Sequence, residues 1–227
     1  MDSGFTFRPI ARAHNAYTDK FAVPRQSGLV PEVLTRLVFE PEYDRAEALR
    51  GLEGFSHLWL IWVFDRAMRD DWSPTVRPPR LGGNRRMGVF ATRSPFRPNP
   101  IGLSCVRLVS TEPGCVTVAG ADLADGTPIF DIKPYLPYAD AFPDARSGYV
   151  APLAERPLDV DCPPGLLARL PEADRAPLLA VLSRDPRPAY QQDTDRVYGF
   201  VFAGRNVRFT VRDGLLTVVD IGEVTPP

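Results

Sequence analysis

The sequence predicts a mainly β fold for the first two thirds of the chain, followed by a small α+β domain. Three observations predict it: short apolar segments separated by turn signals, a break rich in proline and charge at 143–165, and a different pattern beyond the break. Several short strands at modest spacing are typical of a β-barrel or a β-sandwich. A chain of 227 residues buries a sizeable core without help from disulfides.

The first two thirds contain strand-like segments and one helix-like segment. Between the first two strand-like segments, residues 43–52 predict a helix because Ala46, Leu49 and Leu52 recur at three-residue steps. The strand-like segments are rich in β-branched, leucine and aromatic residues, and they are 33–40, 57–64, 87–92, 103–110 and 115–123.

Beyond the break, 165–170 and 178–185 predict helices and 196–222 predicts three strands. Turns are expected at Gly204–Asn206 and Asp213–Gly214. In the middle strand, apolar residues alternate with polar ones, so Arg208 and Arg212 share the polar face. That face is either solvated or contacts a phosphate backbone.

Composition and motifs limit the class of protein. No apolar run reaches the ~20 residues of a membrane span, and the N-terminus lacks an apolar signal core, so we expect a cytoplasmic protein. The cysteines are odd in number and far apart, which predicts reduced thiols. Only His14 and His57 are histidines, and no GxSxG elbow is present.

The segment 77–97 contains six arginines and no acidic residue, although the chain has 28 acids. Guanidinium groups match phosphate and carboxylate geometry, so this segregation predicts an anionic partner; the alternative is a solvated loop. Prolines around the segment restrict its backbone, and "LGGN" at 81–84 permits close backbone approach. The glycine pattern matches neither a phosphate loop nor a dinucleotide fingerprint.

A second cluster, at 122–140, is acidic. It lacks the alternating oxygen ligands of a calcium loop. Asp125–Gly126 predicts a turn, with Asp125 either structural or hydrogen-bonded to a polar ligand, and Pro128 favours an edge strand. A metal-dependent hydrolase stays open as an alternative, using Asp122, Asp125, Asp131 and His57.

Several longer motifs together resemble the TrmO (TsaA-like) tRNA methyltransferase family over most of the chain. The motifs are "DKFAVPRQSGL" (19–29), "RGLEGFSHLWLIWVF" (50–64), "RPPRLGGNRRMGVFATRSPFRPNPIGLS" (77–104), "DGTPIFDIKPYLPY" (125–138) and "DPRPAY" (185–190). One departure is "IARAHNAY" at 10–17, where the family commonly has "IGVIRSPY". Any role of the replaced turn at 14–16 does not transfer.

The resemblance implies an S-adenosylmethionine-dependent β-barrel enzyme that works as a homodimer. It implies methyl transfer to N6 of N6-threonylcarbamoyladenosine, 3′ to the anticodon in threonine tRNAs. Methyl transfer from a sulfonium is an in-line displacement in which alignment supplies much of the acceleration, so we expect no metal. The expected domains are a catalytic barrel at 1–145, a linker at 146–162 and an α+β domain at 163–227. The main alternative is a non-catalytic RNA-binding module that uses the arginine segment.

The resemblance also implies site residues, although it identifies no catalytic residue and no proton acceptor. The expected cofactor-binding residues are Gln26, Ser27, Gly28, Leu29, Phe64, Asp65, Arg93, Leu103, Asp122, Leu123 and Asp125. The expected tRNA-binding residues are Arg77, Arg80, Arg85, Arg86, Arg97, Asn99, Lys133, Tyr135, Arg208 and Arg212. Which tRNA isoacceptors are used, and whether the cofactor pocket spans a dimer interface, are left open.

Overall fold

The structure, a computed structural model, describes residues 4–78, 81, 83–150, 157–187 and 193–224. Within them the chain forms three α-helices and twelve strands, so the predicted mainly β class is confirmed. The helices are α1 (Pro137–Asp140), α2 (Pro164–Leu167) and α3 (Glu172–Ser183). The strands are β1 (Ala11–His14), β2 (Leu34–Phe39), β3 (His57–Val63), β4 (Thr75–Val76), β5 (Met87–Gly88), β6 (Ile101–Glu112), β7 (Cys115–Ala119), β8 (Pro128–Pro134), β9 (Asp159–Asp161), β10 (Tyr198–Phe202), β11 (Arg205–Arg212) and β12 (Leu215–Glu223).

Six of the strands close a barrel in the order β1-β2-β7-β6-β3-β8. In strand β3, buried Leu58, Leu60 and Trp62 alternate with half-buried residues and point into the barrel. This alternation gives the strand one apolar face, which the closed barrel buries. The edge position expected for Pro128 is wrong, since a closed barrel has no edge. Pro128 is instead the first residue of β8, where it lies opposite Arg12 of β1.

An arm between β3 and β6 carries the short antiparallel pair of β4 and β5. The strand predicted at 87–92 ends at Gly88, and Val89–Ala91 forms a 3-10 turn in which Val89 is buried. The helix predicted at 43–52 is also wrong. Two 3-10 turns, Ala46–Leu49 and Leu52–Gly54, occupy this region because Gly51 has a φ of +87° and interrupts the helix.

The C-terminal sheet has the order β10-β11-β12-β9, and α2 and α3 belong to this half of the chain. The three predicted strands form, but the first turn lies at Ala203–Gly204, and Asn206 already pairs with Val201. Strand β9 falls within the segment 146–162 that we expected to be a linker, and it pairs parallel to β12.

The described residues form two hydrophobic cores. One fills the barrel; the other joins the C-terminal sheet and α3 to Tyr17, Ala22, Val30 and Val33 from the segment between β1 and β2. Hydrogen bonds reinforce this second core, including Ala203 N–H to Ala16 O at 3.0 Å. The segment between β1 and β2 therefore lies between the barrel and the C-terminal sheet. No helix formed by the described residues has the length and apolar character to cross a membrane.

Candidate cofactor and tRNA site

The Gln26–Leu29 loop is fixed to the barrel by two glycines. Gly28 adopts a φ of +81° and donates its backbone N–H to Gly120 O at 2.7 Å, just after β7. Gly120 itself has a φ of +77°, and a Cβ added there would lie 3.2 Å from Gly28 Cα. Glycine is needed at Gly120 both for its conformation and for this close approach.

Asp122 lies two residues after Gly120, beside the backbone of Ser27 in the Gln26–Leu29 loop. Its carboxylate accepts a hydrogen bond from Ser104 Oγ, which in turn accepts one from Trp62 Nε1 at 2.9 Å. Burial raises the pKa of Asp122 above its ordinary value, while Ser104, backbone N–H groups that include Ser27, and the charge of Arg93 act in the opposite direction. A partly desolvated carboxylate in a polar cluster is typical of a binding site.

Arg93 joins this cluster from the proline-rich loop. Its guanidinium is exposed and donates to the side-chain oxygen of Gln26. Gln26, Ser27, Arg93 and Asp122 thus come from three distant stretches of sequence and meet at one end of the barrel. Ser104 and Trp62 were not among the residues expected from the sequence. Ser104 is fully buried, and the only signal in the sequence was a serine at an inward-facing position of a strand.

The other residues expected at the cofactor lie in different surroundings. Phe64 packs against Trp62 with ring centroids 4.2 Å apart, and Asp65 begins a 3-10 turn next to it. Leu123 is buried in the barrel core. Leu103 is 58% exposed and faces away from the barrel interior, on the opposite side of β6 from Ser104.

Asp125 holds the connection between β7 and β8 to β1. Its carboxylate accepts the backbone N–H of Asn15 at 3.1 Å and lies 3.5 Å from His14 Nδ1. The Asn15 side chain, also missed, donates to Thr35 Oγ1 and to Leu123 O. The residues that replace the family's arginine-serine-proline turn therefore brace the backbone beside Asp122.

Much of the arginine segment is solvent-exposed. Arg77, Arg85 and Arg86 are exposed, as is Asn99. The guanidinium of Arg86 contacts Thr75 Oγ1 at 3.2 Å, and that of half-buried Arg97 contacts Thr92 O at the same distance. Arg80 lies outside the described residues. This surface presents positive charge next to Arg93, which contacts Gln26.

Lys133 and Tyr135 are not part of that cluster. The Lys133 ammonium group forms an ion pair with the Asp131 carboxylate at 2.7 Å. In the pairing of β8 with β3, Lys133 lies opposite Trp59. Tyr135 packs against His57 and Trp59, near the start of β3, whereas Phe64 follows the end of that strand. Within one chain, these two residues lie toward the other end of β3.

The two arginines of the C-terminal sheet share an exposed face of β11, as the alternation predicted. The guanidinium of Arg212 pairs with Asp195 at 2.7 Å, and Arg208 lies opposite Asp220 in the register. In the described ranges, no three His, Cys, Asp or Glu side chains are grouped to hold a metal ion. The residue set of the hydrolase alternative is therefore not assembled as a metal site.

Comparisons with known proteins show which family the chain resembles along most of its length. The family model described as tRNA-methyltransferase O N-terminal domain matches residues 12–141, and the TrmO C-terminal domain model matches 157–224. The Escherichia coli protein named tRNA (adenine(37)-N6)-methyltransferase is 47% identical over 93% of this chain and 95% of its own length. A Pseudomonas aeruginosa relative, with a name that refers to S-adenosylmethionine-dependent methyl transfer, is 43% identical over 94% and 96%. A crystal structure of TrmO from P. aeruginosa superposes with a TM-score of 0.79 at 36% identity and covers 99% of both chains.

Proposed function

This chain belongs to the tRNA-methyltransferase O family, and on that premise we propose that it methylates N6 of N6-threonylcarbamoyladenosine, 3′ to the anticodon in threonine tRNAs. The coarser activity, S-adenosylmethionine-dependent methylation of a tRNA adenine at N6, is the one that its relatives are named for. The observation that carries the proposal is the meeting of Gln26, Ser27, Arg93 and Asp122 at one end of the barrel.

The residues of this cluster fit S-adenosylmethionine. The exposed guanidinium of Arg93 suits the methionyl carboxylate, and the Asp122 carboxylate suits the ribose hydroxyls or the ammonium group. The backbone of the Gln26–Leu29 loop offers hydrogen-bonding groups for adenine. Phe64, beside Trp62, presents an aromatic ring to a base or to a sulfonium.

The chain's own residues contribute alignment and exclusion of water. When bound, S-adenosylmethionine supplies an electrophilic methyl group, and transfer in line needs the acceptor nitrogen directly behind it. That nitrogen lies between a purine ring and a carbamoyl group, so its hydrogen is weakly acidic and no strong base is required. His57 begins β3 and packs against Tyr135, so it belongs to the aromatic cluster of Tyr135 and Trp59.

For the tRNA, the exposed arginines of 77–97 bind phosphates around the anticodon loop. Six like charges without an acid favour a polyanion, because each phosphate that is neutralised releases condensed counterions. Asn99, Lys133 and Tyr135 are assigned to the modified base and its threonyl carboxylate, and Arg208 and Arg212 extend the basic surface. Reading an unstacked loop base by stacking and edge contacts is the usual mode for RNA.

The working form is a homodimer in the cytoplasm. Leu103 and Ile101 are exposed on the outer face of the barrel, beside the outward residues Ile61 and Val63 of the paired strand. An exposed apolar face on paired strands suits a second copy of the chain. Because Leu103 faces away from Asp122, its assignment to the cofactor fits a pocket that the partner subunit completes. We also propose that the chain is divided into a catalytic barrel at 1–145, a linker at 146–162 and an α+β domain at 163–227.

The test is transfer of label from S-adenosylmethionine to two preparations of threonine tRNA, with and without the threonylcarbamoyl group. We expect label only on the modified tRNA, with mass spectrometry locating the methyl group on N6 of the modified adenosine. Equal labelling of both tRNAs would refute the stated substrate. Binding of tRNA without any transfer would favour the non-catalytic RNA-binding module.

A further inference from the structure

An exposed pair of aromatic rings lies on the arm between β3 and β6. The ring centroids of Trp72 and Phe90 are 6.2 Å apart, and the ring planes are inclined by only 33°. Trp72 is 53% exposed and Phe90 is 74% exposed, so neither ring gains much from burial in this chain. An exposed apolar patch usually marks a site of interaction with a ligand or a partner.

The backbone of the arm brings the two rings together. Strand β4 pairs with β5, and just beyond this pair Val89 N–H donates to Pro74 O at 2.9 Å. Val89 is buried and begins the 3-10 turn, whereas the next residue, Phe90, is exposed and reaches Trp72. The exposure of the pair is therefore built into the hydrogen-bonded structure of the arm.

A second planar contact lies on the same arm. The guanidinium of Arg69 covers the ring of Phe96, with Cζ 3.9 Å from the ring centroid. A guanidinium held flat on a ring is attracted by its π-system, and guanidinium planes also stack on the bases of RNA. Arg69 precedes Trp72 by three residues, so planar groups that suit stacking are concentrated on this arm.

The charge of the arm indicates the kind of partner. Residues 66–100 contain eight arginines and only two acids, Asp70 and Asp71. A symmetric dimer through this surface would bring two arginine-rich arms together, which repulsion between like charges opposes. A single-stranded nucleic acid places its phosphates on the arginines and its bases on the aromatic rings. Because both acids directly precede Trp72, this part of the arm suits an uncharged base and not a phosphate.

We propose that Trp72 and Phe90 form a stacking platform for an unpaired base of the tRNA anticodon loop. This rests on the proposed function, because it takes tRNA as the substrate. The same arm carries Arg93, which donates a hydrogen bond to Gln26 of the cofactor cluster. A base stacked on the two rings is thus held by the element that also contacts the cofactor cluster, and the platform positions the loop for methyl transfer.

The first experiment measures the affinity of the full-length chain for threonine tRNA at several salt concentrations. We expect Trp72→Ala and Phe90→Ala each to bind about fivefold to 150-fold more weakly, the range for one base stacked on an aromatic side chain. The slope of log affinity against log salt concentration should keep its wild-type value, because no phosphate contact is lost.

Conservative variants at the same positions serve as matched controls. Trp72→Phe and Phe90→Tyr keep a flat ring and should bind tRNA nearly as well as the wild type. Phe90→Leu keeps the apolar bulk without the ring, so it should bind as weakly as Phe90→Ala. This pattern separates stacking of a base from a general apolar contact.

The fluorescence of Trp72 gives a second readout on the unaltered arm. The other two tryptophans, Trp59 and Trp62, lie in β3, where their indole N–H groups donate to Asp140 and Ser104. Saturation with threonine tRNA should quench the emission of the wild type. The quenching should be smaller in Trp72→Phe, although this variant still binds the tRNA.

Several results would overturn the proposal. Wild-type affinity in both Trp72→Ala and Phe90→Ala, or equal quenching in the wild type and Trp72→Phe, would show that no base stacks on these rings. A change of molar mass from dimer to monomer in Trp72→Ala, measured by light scattering, would show that a second copy of the chain covers them. A wild-type chain that does not bind tRNA contradicts the proposed function instead, so the two failures are distinguishable.

Discussion

Replacing Gly120 by alanine tests whether the barrel sets the position of the Gln26–Leu29 loop. The φ of +77° disfavours any residue with a Cβ, which costs about 1–2 kcal/mol. The new Cβ would also lie 3.2 Å from Gly28 Cα and 3.3 Å from Gly28 N, closer than ordinary van der Waals contact. Both neighbours are backbone atoms, so the loop itself must move by a few tenths of an ångström. Crowding of this kind costs about 1–3 kcal/mol more.

The control is Gly214→Ala in the turn between β11 and β12. Gly214 has a similar φ of +82°, but nothing lies within 4 Å of an added Cβ, so only the conformational part of the penalty applies. Urea unfolding should give losses of about 2–5 kcal/mol for Gly120→Ala and about 1–2 kcal/mol for Gly214→Ala. Titration with S-adenosylmethionine should show weaker binding for Gly120→Ala alone. Equal losses of stability with unchanged affinity in both variants would refute the claim that this contact positions the loop.

Three further predictions concern Asp122, the arginine segment and the outer barrel face. Because burial raises the pKa of Asp122, the ionised carboxyl destabilises the native state as the pH rises above the ordinary aspartate value of about 4. Asp122→Asn should therefore gain stability relative to wild type from acid to neutral pH in urea unfolding, and a pH-independent difference would contradict the role of burial. Arg86→Ala should reduce the slope of log tRNA affinity against log salt concentration by about 0.7–0.9. The control is Arg205→Ala, which removes a guanidinium 3.7 Å from Glu223 and should leave the slope unchanged. Equal slopes for the two variants would show that Arg86 does not contact a phosphate. Leu103→Glu should shift the molar mass measured by light scattering from dimer to monomer, and an unchanged mass would exclude this face as the interface.

The sequence predicted β3, whose side chains alternate, and it missed β9, which depends on a partner strand from a distant part of the chain. Strand β3 was recognisable because Leu58, Leu60 and Trp62 recur at every second residue. Strand β9 reads Asp-Val-Asp between prolines and carries no such signal. It exists because β12 offers it a parallel partner, and local sequence does not contain that information.

The site shows the same division between local and tertiary signals. Family motifs pointed to the Gln26–Leu29 loop and to Asp122, and their assignment to the cofactor stays a prediction. Ser104 and Trp62 were missed because their hydrogen bonds to each other and to Asp122 depend on the register of β3 against β6. Tyr17 is the last residue of the segment "IARAHNAY". Only the packed structure shows that its hydroxyl is buried and has no hydrogen-bond partner among the described residues.

The division of the chain into two hydrophobic cores has a consequence for synthesis on the ribosome. The barrel core uses residues up to Ile132, whereas the apolar underside of the Gln26–Leu29 loop, with Val30 and Ala22, is covered by strands that end near residue 223. N-terminal units fold first during synthesis. The barrel is therefore able to close while the loop still lacks its support, and we expect the nascent chain to acquire cofactor affinity only after nearly all of it has emerged.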